Sequence, residues 1–219
     1  MTQQFLTAAQ IIASFELQVN DITELATDQE YQILNRVYLK VCADRPYEFL
    51  KSTASGNVNT DAIGSFIPVP ANFTHFATNN AYTDNSIAVQ NNAAPKVIFI
   101  VNGVTYQPYQ IINFSDRRQY INRSGYAYLD IVNNVIRFTM PPVAGTYEFD
   151  YIITPELLTS ADSPIFPGRF HEMLMYGMAV ENDIIQLSPK ATSYAQDNQA
   201  RFDSYKLDMQ YWNANLQLN

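Results

Sequence analysis

The sequence predicts an α+β fold: an antiparallel helical bundle built from the N- and C-terminal helices, with an inserted antiparallel β-sandwich or barrel domain. Both ends of the 219-residue chain place apolar residues at helical spacing. The middle alternates apolar and polar residues, with turn signals roughly every 8–12 positions. Since neither pair of helices is a convincing domain alone, we expect residues 1–53 and 161–219 to form the bundle and residues 54–160 the inserted β-domain.

The N-terminal helices are predicted from their capping patterns. Thr7 and Gln10 can form a capping box, and apolar residues follow at helical spacing. Thr27 and Glu30 can form a second box that opens a longer helix. The apolar face of this helix comprises Leu34, Val37, Tyr38 and Val41. The small polar residues from Ser52 to Gly56 then predict a linker.

The strands of the middle part are predicted from hairpin signals and alternation. Asn102–Gly103 lies between two strand-like runs and is a strong short hairpin signal. A second hairpin is predicted to turn at Asn133–Asn134. The stretch GTYEFDYIIT alternates aromatic and acidic residues, which predicts a strand with one buried face. An earlier strand is predicted to start after Pro70.

The C-terminal part predicts two more helices. The first extends from about Arg169 to Gln186, and Ser188–Pro189 separates it from the second. The second carries one stripe of large side chains: Tyr194, Phe202, Tyr205, Met209, Trp212 and Leu216. Near its end, Tyr211, Trp212 and Leu216 suit either core packing or a docking arm for a partner, and the pattern leaves both open.

Composition excludes several classes of protein. Only 16% of residues are charged while 15 are tyrosines, a balance typical of surfaces that are hidden against partners. The net charge is −8 with no basic stripe, so specific nucleic-acid binding is not expected. The single cysteine excludes an internal disulfide framework. No run of about 18 apolar residues occurs, so no membrane span is expected.

His171 and Glu172 begin a predicted helix in the manner of a zinc-protease motif. That motif needs a second histidine four residues after the first, and the residue there is Met175. The other histidine, His75, lies in a different kind of segment. We therefore expect no metal site, and interpret His171 as a histidine near solvent at the helix start, or one that caps the preceding loop.

The remaining chemical candidates also favour a structural interpretation. Cys42 could be a nucleophile, but a small buried hydrophobic residue is the favoured interpretation. Asp130, Glu148 and Asp150 could flank a sugar, but alternating strands favour a solvated face. We therefore predict no catalytic residue, no metal and no cofactor, and we expect that the protein is not an enzyme.

The stretch FSDRRQYINRSGYAYLD is the most distinctive loop, because arginines and tyrosines interleave along it. These residue types are preferred anchors of protein interfaces, and they can also stack on single-stranded bases. A long hairpin loop with scattered charge is the third possibility. The partner-interface candidates from this stretch are Arg117, Arg118, Tyr120, Arg123 and Tyr126.

Three stretches resemble the head-to-tail connector (adaptor) proteins of tailed bacteriophages, particularly the podovirus-type adaptors with an inserted β-domain. The first is YQILNRVYLKVCADRPYEFL, a helix followed by an arginine–proline–aromatic element. The second is YIITPELLTSADSPIFPGRFHEMLMYGMA, which leads from a strand through an acidic loop into a helix. The third is the final helix with its stripe of large side chains. Together they cover about half of the chain.

The resemblance implies a structural, non-enzymatic protein of the virion neck. Such adaptors form a homo-oligomeric ring, typically dodecameric, beneath the portal protein. The ring extends the DNA channel and provides a platform for tail or further ring proteins. DNA passes through without specific binding, which agrees with the acidic balance of the chain. Assembly in the host cytoplasm is expected, and the C-terminal segment often docks on the portal.

One alternative function comes from a different class. The β-domain could be a tail-associated module that binds a glycan or a host surface. Exposed tyrosine and tryptophan side chains on one face of the sheet would favour this alternative.

Overall fold

A computed structural model describes residues 5–19, 25–77, 96–102, 105–140, 143–186 and 192–216. The chain divides into two compact units. The helical unit comprises Met1–Leu50 and Pro155–Asn219, and the sheet unit comprises Lys51–Thr154. The sheet unit is therefore a continuous segment, whereas the helical unit is assembled from both ends of the chain.

The helical unit contains four described α-helices: α1 Ala8–Val19, α2 Thr27–Ala43, α3 Glu172–Gln186 and α4 Thr192–Leu216. Short 3-10 turns occupy Glu48–Leu50 and Gly168–Phe170. The predicted break at Ser188–Pro189 lies outside the described residues. None of the described helices is long and apolar enough to cross a membrane.

The two predicted capping boxes have different outcomes. Before α1, the Thr7 N–H donates to Gln10 Oε1 at 2.9 Å and the Gln10 N–H donates to Thr7 Oγ1 at 3.3 Å, which confirms the box. At α2 the prediction is wrong by one residue. There the Ala26 N–H donates to Gln29 Oε1 at 3.1 Å, and Glu30 is buried instead of reaching back to the helix start.

The four helices share an apolar interior. Helix α3 contacts α1, α2 and α4, and α1 contacts α2. The large buried side chains of the helices include Ile11, Phe15, Leu34, Val37, Tyr38, Met173, Leu174, Met178, Phe202 and Met209. The antiparallel four-helix bundle stays a prediction, but residues from both ends of the chain clearly lie in one compact unit.

Hydrogen bonds between distant parts of the chain hold this unit together. The Asn35 side chain donates to the Leu158 carbonyl at 3.1 Å and accepts from the Leu158 N–H at 2.7 Å, 123 residues away. The Ala8 N–H donates to the Asp162 carbonyl at 2.8 Å. Buried Asn213, in α4, accepts from the backbone N–H of Glu48 at 2.7 Å. Because buried amides need partners, these bonds fix how the N- and C-terminal parts meet.

The sheet unit contains nine described strands in one barrel-like, nearly closed mixed sheet. Its strands are β1 Lys51–Asn57, β2 Asn59–Thr60, β3 Ser65–Pro68, β4 Phe73–Phe76, β5 Lys96–Asn102, β6 Thr105–Ile112, β7 Tyr126–Asp130, β8 Val135–Phe138 and β9 Thr146–Ile153. The order is β1-β9-β5-β6-β7-β8-β3-β2, with β4 also paired to β9. The α+β class is thus confirmed.

The predicted linker is in fact a strand. Residues from Ser52 to Gly56 belong to β1, which pairs with β9 from Lys51↔Ile152 to Asn57↔Thr146. The small polar side chains of β1 show no alternation of apolar and polar residues. The strand forms because its backbone pairs with β9, whose own alternating residues supply the apolar face. A Cβ atom at Gly56 would lie 3.1 Å from the Tyr147 ring, so the glycine leaves room for that ring.

The prediction of an all-antiparallel sheet is wrong at one pair of strands. β6 and β7 are parallel, with Gln110↔Tyr126 and Ile112↔Tyr128 in register. The chain between them forms a 3-10 helix over Phe114–Tyr120, and this connection is long enough to bring β7 back alongside β6. The long hairpin loop considered for this stretch is therefore a crossover connection.

The predicted hairpins are otherwise present. β5 and β6 pair through Asn102↔Thr105, although Gly103 at the turn lies outside the described residues. β7 and β8 turn as predicted, and Asn134 has a positive φ of 52° that asparagine tolerates well. The strand expected after Pro70 is β4, while the residues before it form the additional strand β3.

A charged cluster lies against the sheet core. Arg137 Nε donates to Asp130 at 3.2 Å, and its two terminal nitrogens donate to Asp61 at 3.2 and 2.9 Å. Asp130 is buried, so its predicted place on a solvated face is wrong. Alternation placed it outward, but hydrogen bonds from the Asn133 amide and, second, from the Arg137 guanidinium compensate its burial and lower the pKa of Asp130.

Candidate partner-binding surfaces

The stretch Phe114–Tyr126, here the arginine–aromatic segment, is anchored to the end of β8. Thr139 Oγ1 donates to the Arg123 carbonyl at 2.6 Å and also lies 3.0 Å from the Tyr126 carbonyl. The Asn122 N–H donates to the Thr139 carbonyl at 3.1 Å, with Asn122 at a φ of 63°. The backbone of this segment is therefore held in place although most of its side chains are exposed or half-buried.

Two arginine–aromatic contacts organise the side chains of the segment. The Arg117 guanidinium lies 3.7 Å from the centre of the Phe114 ring and donates to the Phe114 carbonyl at 2.7 Å. The Arg123 guanidinium lies 5.6 Å from the centre of the Tyr120 ring, which packs against Tyr126 at 4.6 Å between ring centres. Side chains that are already ordered lose less conformational entropy when a partner binds.

The segment also carries uncompensated positive charge. It holds three arginines and one aspartate, a net charge of +2 in a chain whose total is −8. Arg118 and Arg123 are exposed, and no ion pair reaches either of them from the described part of the chain. Phe114 and Ile121 are 44% and 57% exposed, so apolar surface adjoins the charge. This combination is typical of interface anchors.

The C-terminal candidates separate into packed and exposed side chains. The Trp212 ring lies 5.8 Å from Phe170 and 6.5 Å from Phe49, and the Arg169 guanidinium lies 5.2 Å from its centre. Trp212 therefore packs within the helical unit. Tyr211 is 63% exposed and Leu216 is 44% exposed, so these two candidates present apolar surface to solvent.

One exposed apolar pair was missed by the sequence reasoning. Ile131 and Val132 form the tip of the β7–β8 hairpin and are 77% and 90% exposed. Two hydrogen bonds from Asn133 to the Asp130 carboxylate, at 2.8 and 3.4 Å, fix the turn. The available signal was two adjacent β-branched apolar residues inside a predicted turn, where polar residues are usual.

His171 is fully buried, so the first interpretation, a histidine near solvent, is wrong, whereas its contact with the Phe166 carbonyl agrees with the second, a histidine that caps the preceding loop. The Leu6 N–H donates to Nδ1 at 3.0 Å, and Nε2 lies 2.9 Å from the Phe166 carbonyl, which can only accept, so the proton belongs on Nε2. Burial lowers the pKa of His171, which agrees with a neutral ring. The ring thus joins the N-terminal segment before α1 to the loop before α3, and the Glu172 carboxylate accepts from the Tyr205 hydroxyl at 2.9 Å.

The other chemical candidates lie in different environments. Cys42 is buried, and burial raises the pKa of its thiol to about 12. Glu148 is exposed on β9, while Asp150 accepts from the Thr53 hydroxyl at 2.7 Å. Among the residues that the structure describes, His, Cys, Asp and Glu nowhere gather in a group of three that could hold a metal ion.

Comparison with known families identifies the class of protein as a bacteriophage structural adaptor. The model of the SU10 adaptor protein family matches residues 6–218, so the match extends over both compact units. The chain belongs to this family and is a phage head-to-tail adaptor. A comparison with curated proteins finds no match.

Proposed function

We propose that copies of this chain form a ring beneath the portal, which extends the DNA channel and provides a platform for tail proteins. The observation that carries the proposal is the family match over almost the whole chain. Support also comes from what the family implies, namely a component of the virion neck that interacts with the portal and with tail proteins. A homo-oligomeric, dodecameric ring and assembly in the host cytoplasm follow from the resemblance to podovirus-type adaptors.

The charge of the chain supports a channel role. At a net charge of −8, the protein repels the DNA phosphates that must move past it, so DNA passes without specific binding. The arginine–aromatic segment is the exception, and two of its three arginines, Arg117 and Arg123, lie beside aromatic rings. We assign this segment to protein partners.

A structural role without catalysis is part of the same proposal. Support comes from His171 and Cys42, the two side chains with the most obvious catalytic chemistry. Both are buried, His171 has both ring nitrogens engaged with backbone groups, and Cys42 has a raised thiol pKa.

The glycan-binding alternative finds less support. It would need aromatic side chains displayed on one face of the sheet. Tyr109, Tyr147 and Tyr151 are buried and Tyr126 is half-buried, while Trp212 belongs to the helical unit.

The resemblance implies that the C-terminal segment docks on the portal, and we propose that the exposed end of α4 does so in this chain. Tyr211→Ala/Leu216→Ala removes two exposed side chains and leaves Trp212 and Asn213 in their packed positions. A truncation at Tyr211 would be less informative, because it also removes those packed residues. We expect portal binding to weaken at least about tenfold, or about 1.4 kcal/mol, with an unchanged melting temperature.

The matched control for this test is Leu207→Ala, which removes an exposed leucine from the same helix. It should bind the portal like the wild type. Binding of purified chain to isolated portal rings, followed by mass photometry, gives the affinities. Wild-type affinity of the Tyr211→Ala/Leu216→Ala variant would refute the docking role of this helix end.

A further inference from the structure

The outer face of β9 is chemically the opposite of the arginine–aromatic segment. Glu148 is exposed there, and its cross-strand neighbours on the same face are Ser55 of β1 and Phe99 of β5. Asp150 lies on the same face opposite Thr53, because alternate residues of a strand share a face. This surface, here the β9 acidic face, combines the carboxylates of Glu148 and Asp150 with small polar residues and a half-buried aromatic ring, and one ammonium group, Lys51 of β1, lies on the same face.

Within the described part of the chain, Glu148 has no cationic partner. Arg118 and Arg123 of the arginine–aromatic segment likewise have no carboxylate partner among the described residues. Both surfaces also carry apolar side chains beside their charges. These are exposed Phe114 and Ile121 in the segment and half-buried Phe99 on the acidic face. The two surfaces therefore match in charge and in apolar character.

We propose that the arginine–aromatic segment of one copy binds the β9 acidic face of a second copy of this chain. The proposal rests on the proposed ring function and names the surfaces that join neighbouring subunits. Arg118 and Arg123 lie against Glu148, and Phe114 and Ile121 cover the apolar part of the acidic face.

The charges also determine the symmetry of this contact. A two-fold contact made through the arginine–aromatic segment alone would place three arginines opposite three arginines, and like charges oppose association. Pairing of two different surfaces is a head-to-tail contact, which closes into a ring when the rotation between copies permits it. Each copy then uses both surfaces, one on each neighbour.

A second copy is favoured as the occupant by the charge of the chain itself. With +2 in the segment and −8 in total, the rest of each copy carries −10. Two copies that each carry −8 repel one another as wholes, but salt screens charges that are more than about one Debye length apart, roughly 10 Å at 0.1 M salt, so the local pairing of the segment with carboxylates on the neighbouring copy determines the contact. The β9 acidic face then provides the specific contact.

A charge-swap experiment tests the proposal. The first variant, Arg118→Glu/Arg123→Glu, reverses the segment and keeps Arg117 on Phe114. The second, Glu148→Lys/Asp150→Asn, reverses the acidic face and keeps a side-chain oxygen that accepts from Thr53. Each variant alone should lose at least about nine-tenths of the ring species, because like charges then face each other across the contact.

An equal mixture of the two variants should recover the rings. In an alternating ring, the reversed segment meets the reversed face, and the wild-type segment meets the wild-type face, so every contact is again attractive. A third variant, Glu156→Lys/Asp208→Asn, makes the same change in net charge at exposed positions of the helical unit. It should assemble like the wild type.

Mass photometry is performed on the full-length chains, both alone and with isolated portal rings. Rings formed by the first or second variant alone, or no recovery on mixing, would overturn the pairing and leave the ring proposal intact. A wild-type chain that stays monomeric both with and without the portal would overturn the ring proposal and this pairing together.

Discussion

Gly177 in helix α3 provides a sensitive test of how the N- and C-terminal helices meet. A Cβ atom built at Gly177 would lie 2.5 Å from Val37 Cγ1 of α2 and 2.8 Å from Phe202 Cε2 of α4. Both distances are far shorter than the roughly 3.5–4.0 Å of a favourable carbon–carbon contact. Gly177→Ala therefore inserts a methyl group at a point where three helices converge.

Two opposing effects determine the result. Alanine is favoured over glycine inside a helix by about 1 kcal/mol. Overpacking a well-filled core costs about 1–3 kcal/mol. The upper part of that range applies, because Val37 is β-branched and stiff while Phe202 is itself buried. We expect a net loss of about 1–2 kcal/mol in unfolding free energy, which lowers the melting temperature by about 2–8 °C.

Thermal unfolding followed by circular dichroism measures the effect, and a double-mutant cycle assigns its cause. In the Val37→Ala background, the space left by the valine accepts part of the new methyl group. The cost of Gly177→Ala should therefore fall by about 1 kcal/mol or more in that background. The reasoning is wrong if Gly177→Ala raises the melting temperature equally in both backgrounds, because α2 and α3 would then not meet at this glycine.

Three further predictions concern buried ionisable groups. Arg137→Met leaves buried Asp130 without its guanidinium partner and should lower the unfolding free energy by about 3 kcal/mol in urea titrations at pH 7. Arg137 also lowers the pKa of Asp61 to about 2, so this loss should shrink as the pH falls below about 4 and the carboxylates become protonated; a pH-independent loss would contradict the cluster. Burial, together with nearby Glu16, raises the pKa of Glu30. Stability should therefore fall as the pH rises through that raised pKa, and Glu30→Gln should raise the melting temperature at pH 7 but hardly at pH 4; equal shifts at both pH values would refute this. Cys42 should react with Ellman's reagent only after unfolding, since its thiol is buried and has a pKa of about 12; rapid stoichiometric labelling of the native protein would contradict this.

Elements with local determinants could be predicted from the sequence. The Thr7–Gln10 box and the Asn133–Asn134 turn depend on residues within four positions of each other, and both are present. The stripe on the last helix correctly placed Phe202 and Met209 in the interior, because helical periodicity reports the buried face directly.

Elements with distant determinants could not be predicted. Strand β1 lacks an apolar pattern and exists because β9, far along the chain, pairs with it. The parallel pairing of β6 with β7 depends on the path of the 3-10 helix Phe114–Tyr120, which no periodicity encodes. Turn signals alone favoured a hairpin there.

The candidate surfaces were predicted in composition and not in geometry. Interleaved arginines and tyrosines indicated the arginine–aromatic segment, but the stacking of Arg117 on Phe114 depends on its local helical turn. Asp130 was misplaced because alternation cannot reveal that Arg137 compensates a buried carboxylate. His171 was misplaced because its partner Leu6 is 165 residues away.

Assembly on the portal is the most direct test of the account. The measurement is mass photometry of the purified 24.9-kDa chain, alone and after mixing with its isolated portal ring. The account predicts a complex that gains the mass of a complete ring of copies, twelve if the resemblance to podovirus-type adaptors holds. Portal rings that gain no mass, with the chain staying monomeric throughout, would contradict it.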